Sequence, residues 1–151
     1  MMKPLLCNRP EDLVRDALAG LVAATPHLAL LKSFPSLKVV YDSTFDGDAA
    51  VAVISGGGSG HEPAFAGLVG AGALAAAAAG DVFAAPPEDA VLAAIRQVTG
   101  AKGCLLVSYG PPMSPAFSRL HEHEGGAKEC KCKCKRERER ERDDVFHACR
   151  C

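Results

Sequence analysis

The densest chemistry in this sequence lies in nine residues, Ser55-Gly-Gly-Gly-Ser-Gly-His-Glu-Pro63. Four glycines and two small hydroxyl residues let bare backbone come close to a small polar ligand, whose oxygens the N–H groups can hold. His61 stands at the rim and is a residue type able to take up and return a proton. The apolar run Ala49–Ile54 ahead of the glycines predicts a buried strand, and the Ala/Leu/Val pattern after Pro63 predicts a short helix over about residues 63–69. The stretch therefore reads as a strand-to-helix turn that binds a ligand. The competing reading is a tight turn whose glycines only relieve crowding.

Three familiar glycine motifs fail here. A P-loop needs a closing Gly-Lys-Ser/Thr, and His61 stands where the lysine belongs. Gly56, Gly58 and Gly60 start a dinucleotide fingerprint, but its last glycine is missing. A hydrolase elbow needs Gly two residues after its Ser, whereas His61 follows Ser59 at that spacing.

Elements on both sides must hold this loop in place. Asn8 as a cap and Pro10-Glu11-Asp12 open a helix with Leu13, Ala17, Leu21 and Ala24 along one stripe, stopped at Thr25-Pro26. Leu37–Tyr41 predicts a strand, and Asp42–Asp48 a polar loop leading to the strand that feeds the glycines. Pro86-Pro87-Glu88-Asp89 opens a second helix with Val91, Leu92, Ile95 and Val98 on one face, ending at Gly100. Gly103–Val107 is a continuous apolar run, as in a central parallel strand. Leu74–Ala79 is helical by alanine propensity, yet its shortness and flanking glycines favour a strand. The resulting β-α-β-α-β order predicts an α/β domain over residues 1–108, an open parallel sheet with flanking helices. Asp81, after Gly80, reads as a loop-capping residue.

Residues 109–151 have another character. Prolines at 111, 112 and 115 precede His121-Glu-His123-Glu, Lys-Cys repeats and alternating Arg-Glu from Arg136 to Arg142. Nothing in them has apolar periodicity, so a disordered low-complexity tail is expected. Cys130, Cys132, Cys134, Cys149 and Cys151 crowd this tail, while Cys7 and Cys104 read as isolated thiols of the body. A disulfide framework would spread its cysteines through the fold. The tail spacing is also tighter than the Cys pairs of zinc sites, so no metal is expected. The tail's interleaved charges and a net charge of −1 argue against a nucleic-acid partner. The Ala/Gly stretch 64–79 lacks the bulk of a membrane span, and no signal peptide is visible, so a cytoplasmic protein is expected. Alternating Glu-Arg is what a GA repeat encodes, and Val107-Ser108 can be encoded like a splice donor, so the expectation is that the tail arises by read-through into an unspliced intron.

The nine-residue stretch resembles the signature of the dihydroxyacetone (glycerone) kinase family, in its substrate-binding DhaK domain. The flanks agree: Asn8-Arg-Pro with Ala17-Leu-Ala-Gly-Leu21, Ala79-Gly-Asp-Val-Phe-Ala-Ala-Pro86, Ala90–Val98 and Gly103-Cys-Leu-Leu-Val107, so that residues 5–107 are covered. The resemblance implies an ATP-dependent kinase of dihydroxyacetone or glyceraldehyde. It makes Gly58, Ser59, Gly60 and His61 substrate-binding residues and His61 the acid/base catalyst. It further implies ATP and Mg2+ bound by a separate domain, and full-length relatives that form homodimers, some of which also cyclise FAD to a cyclic FMN. Two features depart from the pattern. The family's Asn-Tyr-x-Gly-Asp, whose aspartate assists the histidine, is replaced by Ser108-Tyr109-Gly110-Pro111, and the family's second, covalently acting histidine has no counterpart within 151 residues. The chain reads as an incomplete DhaK-like domain. The alternative is a catalytically inactive fragment that at most binds small carbonyl compounds.

Overall fold

The computed structural model describes residues 8–108 and two later strands, Lys133–Arg138 and Val145–Arg150. Its centre is three parallel strands, β3 (Ala52–Ser59) between β4 (Ala76–Val82) and β5 (Cys104–Ser108). Ile54 lies opposite Ala76 on one side and Leu106 on the other, and is fully buried. The alanine run is strand, as the flanking glycines indicate. Alternate alanines serve opposite faces: Ala76 and Ala78 pack with α2 (Glu88–Val98), while Ala77 packs with Val14 and Leu18 of α1 (Leu13–Ala24). Both faces of β4 are thus covered, which removes the polar/apolar alternation of a one-sided strand. Methyl side chains on β4, met by Ala90 and Ala94 of α2, let the helix lie close to the sheet.

The fold is α/β, an open sheet with a parallel centre and flanking helices, as expected; its outer strands pair antiparallel. β1 (Leu28–Leu30) was not legible, and β2 (Val39–Asp42) runs antiparallel to both β1 and β4. The segment from Ser43 to Val51 joins the end of β2 to the start of β3 without a helix, too little chain for a parallel crossover. The first helix is also split, into a 3-10 turn at Pro10–Asp12 and α1. Asn8 does not cap it; its side chain donates to the Asp16 carboxylate at 2.9 Å. Asp12 instead gathers Arg9 and Arg15 at 2.8 and 2.9 Å. The helix expected over residues 63–69 shrinks to a 3-10 turn at Ala66–Leu68, followed by Gly70 and Gly72 at positive φ.

Most of the expected disordered tail lies outside the described residues. Its two described pieces are paired backbone: β7 (Val145–Arg150) runs antiparallel along β5, and β6 (Lys133–Arg138) antiparallel along β7. The reason is the edge of β5, whose unpaired N–H and C=O groups accept a strand whatever its side-chain pattern. The sheet order is β1-β2-β4-β3-β5-β7-β6. Among the described residues, no helix is long and apolar enough to cross a membrane.

Cutting the chain after Ser108 uncovers that edge. The 1–108 product is expected to self-associate in size-exclusion light scattering at concentrations where the full chain does not. Identical behaviour of the two would contradict the pairing.

Candidate functional site

The glycines do not form a turn before a helix. Gly56, Gly57 and Gly58 belong to β3 itself, and what they provide is closeness. A Cβ on Gly56 would strike the carbonyl oxygen of Ala78, and one on Gly57 the ring of Phe65. A Cβ on Gly58 would lie 2.9 Å from the Ala84 nitrogen. The β3–β4 register shifts between Gly57 and Ser59, so Gly58 is the residue at which the strand bends out of its ladder. Close approach accounts for the glycines at Gly56 and Gly57, and the bend presents the next residues at the rim.

Ser59 is buried, and its hydroxyl donates to the carbonyl of Gly80 at 2.8 Å. Its own carbonyl accepts the Phe83 N–H at 2.8 Å. Ser59 thus ties the end of β3 to the turn after β4. Gly60 follows with φ of +100°, a conformation that suits glycine, and its N–H donates to the Glu62 carboxylate at 2.9 and 3.1 Å. His61 is exposed, and its carbonyl accepts the Ala64 N–H at 3.2 Å.

The second wall is the turn Asp81–Ala84, closed by the Ala84 N–H on the Asp81 carbonyl at 3.0 Å. Phe83 has φ of +54°, the only non-glycine residue at positive φ among those described, at a cost of about 1 kcal/mol. Its ring meets His61 edge-on, with centroids 5.3 Å apart and planes at 66°. The Asp81 carboxylate does not cap the loop; it pairs with Lys38 at 3.0 Å, in a contact open enough to water to contribute little.

The structure thus brings Gly58, Ser59, Gly60 and His61 together at the carboxyl ends of two parallel strands, where open α/β sheets bind ligands. Gly60 offers a rim N–H, and His61 offers an imidazole beside it. The Ser59 hydroxyl proton is committed to the Gly80 carbonyl. Glu62, Phe83 and Gly80 were not assigned from the sequence; the one signal was a phenylalanine set between Asp81-Val82 and Ala84-Ala85-Pro86, where a loop needs no large apolar side chain. The positions that replace the expected aspartate, from Tyr109 onward, lie outside the described residues, as does Cys7. Cys104 is a buried free thiol, and burial pushes its pKa up.

A concavity of about 330 Å3 opens at the opposite end of the sheet, between the Asp42–Asp48 loop and Val98–Gly100. Its carboxylates are spent on hydrogen bonds from neighbouring residues of the chain. Asp42 accepts from the Thr44 N–H and hydroxyl at 2.9 and 2.6 Å, Asp46 from the Asp48 N–H at 2.9 Å, and Asp48 from the Ala101 N–H at 2.7 Å. Burial alone would raise the Asp42 carboxyl, but the Thr44 hydrogen bonds outweigh it and hold it below its ordinary value. Among the described residues, no group of three His, Cys, Asp or Glu side chains could hold a metal ion.

The Dak1 domain family matches residues 19–109. The dihydroxyacetone kinase of Citrobacter freundii is 49% identical over 108 residues, covering 70% of this chain and 19% of that protein. Its crystal structure with AMP-PNP and Mg2+ superposes with a TM-score of 0.65 at 47% identity, covering 72% of this chain and 21% of that one. The mouse triokinase/FMN cyclase is 47% identical over 110 residues, 71% of this chain and 18% of that protein. The DhaKLM operon coactivator DhaQ of Lactococcus lactis is 41% identical over 100 residues, 66% of this chain and 29% of that protein. The chain therefore spans about a fifth of the length of the kinases it matches.

Two outcomes follow from this geometry. Gly57→Ala should lower stability by about 1–3 kcal/mol in urea unfolding, because the Phe65 ring must move; an unchanged midpoint would contradict the close approach. Asp42, held low when folded, adds stability that is complete above its unfolded value of about 3.9 and disappears as pH falls through the lower folded value. Asp42→Asn should flatten the loss of stability in acid, and a loss as steep as in the unaltered chain would contradict this.

Proposed function

The chain belongs to the Dak1 domain family, and from that premise we propose that residues 58–61 bind dihydroxyacetone or a similar short hydroxyketone, as part of a dihydroxyacetone kinase. The observation that carries this reading is the Gly60 N–H, held by a Glu62 carboxylate oxygen one residue from the His61 imidazole. That oxygen stands in for a ligand's carbonyl or hydroxyl oxygen, and a bound ketose would take its place. A ligand hydroxyl would then lie within reach of His61, which would accept its proton and leave an alkoxide-like oxygen as the nucleophile. Ser59 would also hold the strand end, since its hydroxyl donates to Gly80.

ATP and Mg2+ do not fit the described residues, which lack both a phosphate loop and a metal-holding group. In this reading they belong to the remaining four-fifths of a full kinase, a cytoplasmic homodimer acting in glycerone metabolism. A second reading draws support from DhaQ, a coactivator by name, which matches this chain at 41% identity. On that reading the chain binds a small carbonyl compound without catalysis.

Saturation-transfer NMR on the full chain separates binding from its absence. Dihydroxyacetone should give a signal that glycerol competes for poorly and that His61→Ala reduces about tenfold, consistent with loss of a hydrogen bond to the ligand. An equal signal in His61→Ala would refute the site. Turnover with ATP and Mg2+ that depends on His61 would favour the kinase reading over the carbonyl-binding one.

A further inference from the structure

We propose that Phe83 is a positioning residue for His61, an inference that rests on the hydroxyketone site and adds a residue to it. Four observations meet at this side chain. Its ring contacts the imidazole edge-on at 5.3 Å. Its N–H is bonded to the carbonyl of Ser59, so the backbone that carries the ring is fastened to the strand that carries the histidine. The ring roofs Gly60, where an added Cβ would lie 2.8 Å from it. Finally, it is 73% exposed and adopts a left-handed backbone, although neither buried core cluster contains it.

A phenyl ring kept in water on an uncommon backbone does nothing for the core. Such outliers persist where the surroundings over-determine them, and they gather at functional sites. The physical task here is orientation. The His61 side chain has two soft torsions, and on an exposed rim it would sample several rotamers. An edge-to-face contact with a ring whose backbone is fastened to the Ser59 carbonyl narrows that choice. A proton acceptor must sit within about 3 Å of the hydroxyl it serves, so an imidazole held in one rotamer is useful where a wandering one is not. Phe83 therefore acts through His61 and not on the ligand's reacting atoms. Glycine suits the φ of +100° at Gly60, and this ring lies over it, so the loop and the aromatic form one unit.

The test uses the full chain labelled at histidine, with Phe83→Leu and Phe83→Tyr. In the unaltered chain, His61 ring protons should show NOEs to Phe83, and the couplings across its Cα–Cβ bond should report one dominant rotamer. Phe83→Leu keeps apolar bulk but has no ring. It should let those couplings average toward free rotation and weaken dihydroxyacetone binding about three- to tenfold, while Phe83→Tyr restores both. A single His61 rotamer in Phe83→Leu, or averaged couplings in Phe83→Tyr, would overturn the proposal. If the unaltered chain fails to bind dihydroxyacetone, the substrate reading falls, whereas the His61 couplings still decide whether Phe83 positions the ring.

Discussion

The constraint on which the rest of the structure depends is the absence of side chains along the end of β3. At Gly56 the strand lies so close to the Ala78 carbonyl that a Cβ would strike backbone, and at Gly57 a Cβ would have to displace the Phe65 ring. That closeness is what lets Ser59 reach the Gly80 carbonyl and lets Phe83 reach back to Ser59. Gly80 shares the constraint, because a Cβ there would strike the Ala84 carbonyl oxygen. The turns after β3 and β4 are thereby locked against each other. His61 and Gly60 sit on the rim of that lock, and the site is a consequence of packing before it is one of chemistry.

The same economy runs through the core. Alanines on β4 serve both faces of the sheet, and α2 meets them with Ala90 and Ala94. Small residues leave little room for adjustment, so enlarging any of them would push a helix off the sheet. At the far end, the Asp42–Asp48 loop spends its carboxylates on backbone N–H groups and the Thr44 hydroxyl, which makes that polar concavity a structural joint. The two ends of the sheet thus use polar groups differently: one closes them off, the other leaves His61 in reach of solvent.

Periodicity made α1 and α2 legible, as an unbroken apolar run did β5. It could not show β1, whose three residues are too few for a pattern, nor the antiparallel course of β2, which depends on where a neighbour lies. The glycine run was misplaced for a more instructive reason. Local propensity reads consecutive glycines as a turn, whereas here tertiary closeness selects them within a strand. The candidate residues 58–61 were found because the signature is contiguous. Phe83 was not, since its partnership with His61 crosses two strands and its positive φ leaves no mark in composition. The β7 pairing was equally hidden: an open edge recruits backbone, and backbone has no sequence pattern.

A crystal structure of the full chain with dihydroxyacetone tests the central claim most directly. The expected result is a ligand oxygen on the Gly60 N–H in place of the Glu62 carboxylate, with a ligand hydroxyl about 3 Å from the His61 imidazole. Dihydroxyacetone lodged instead in the Asp42–Gly100 concavity, with Glu62 still bound to Gly60, would contradict it.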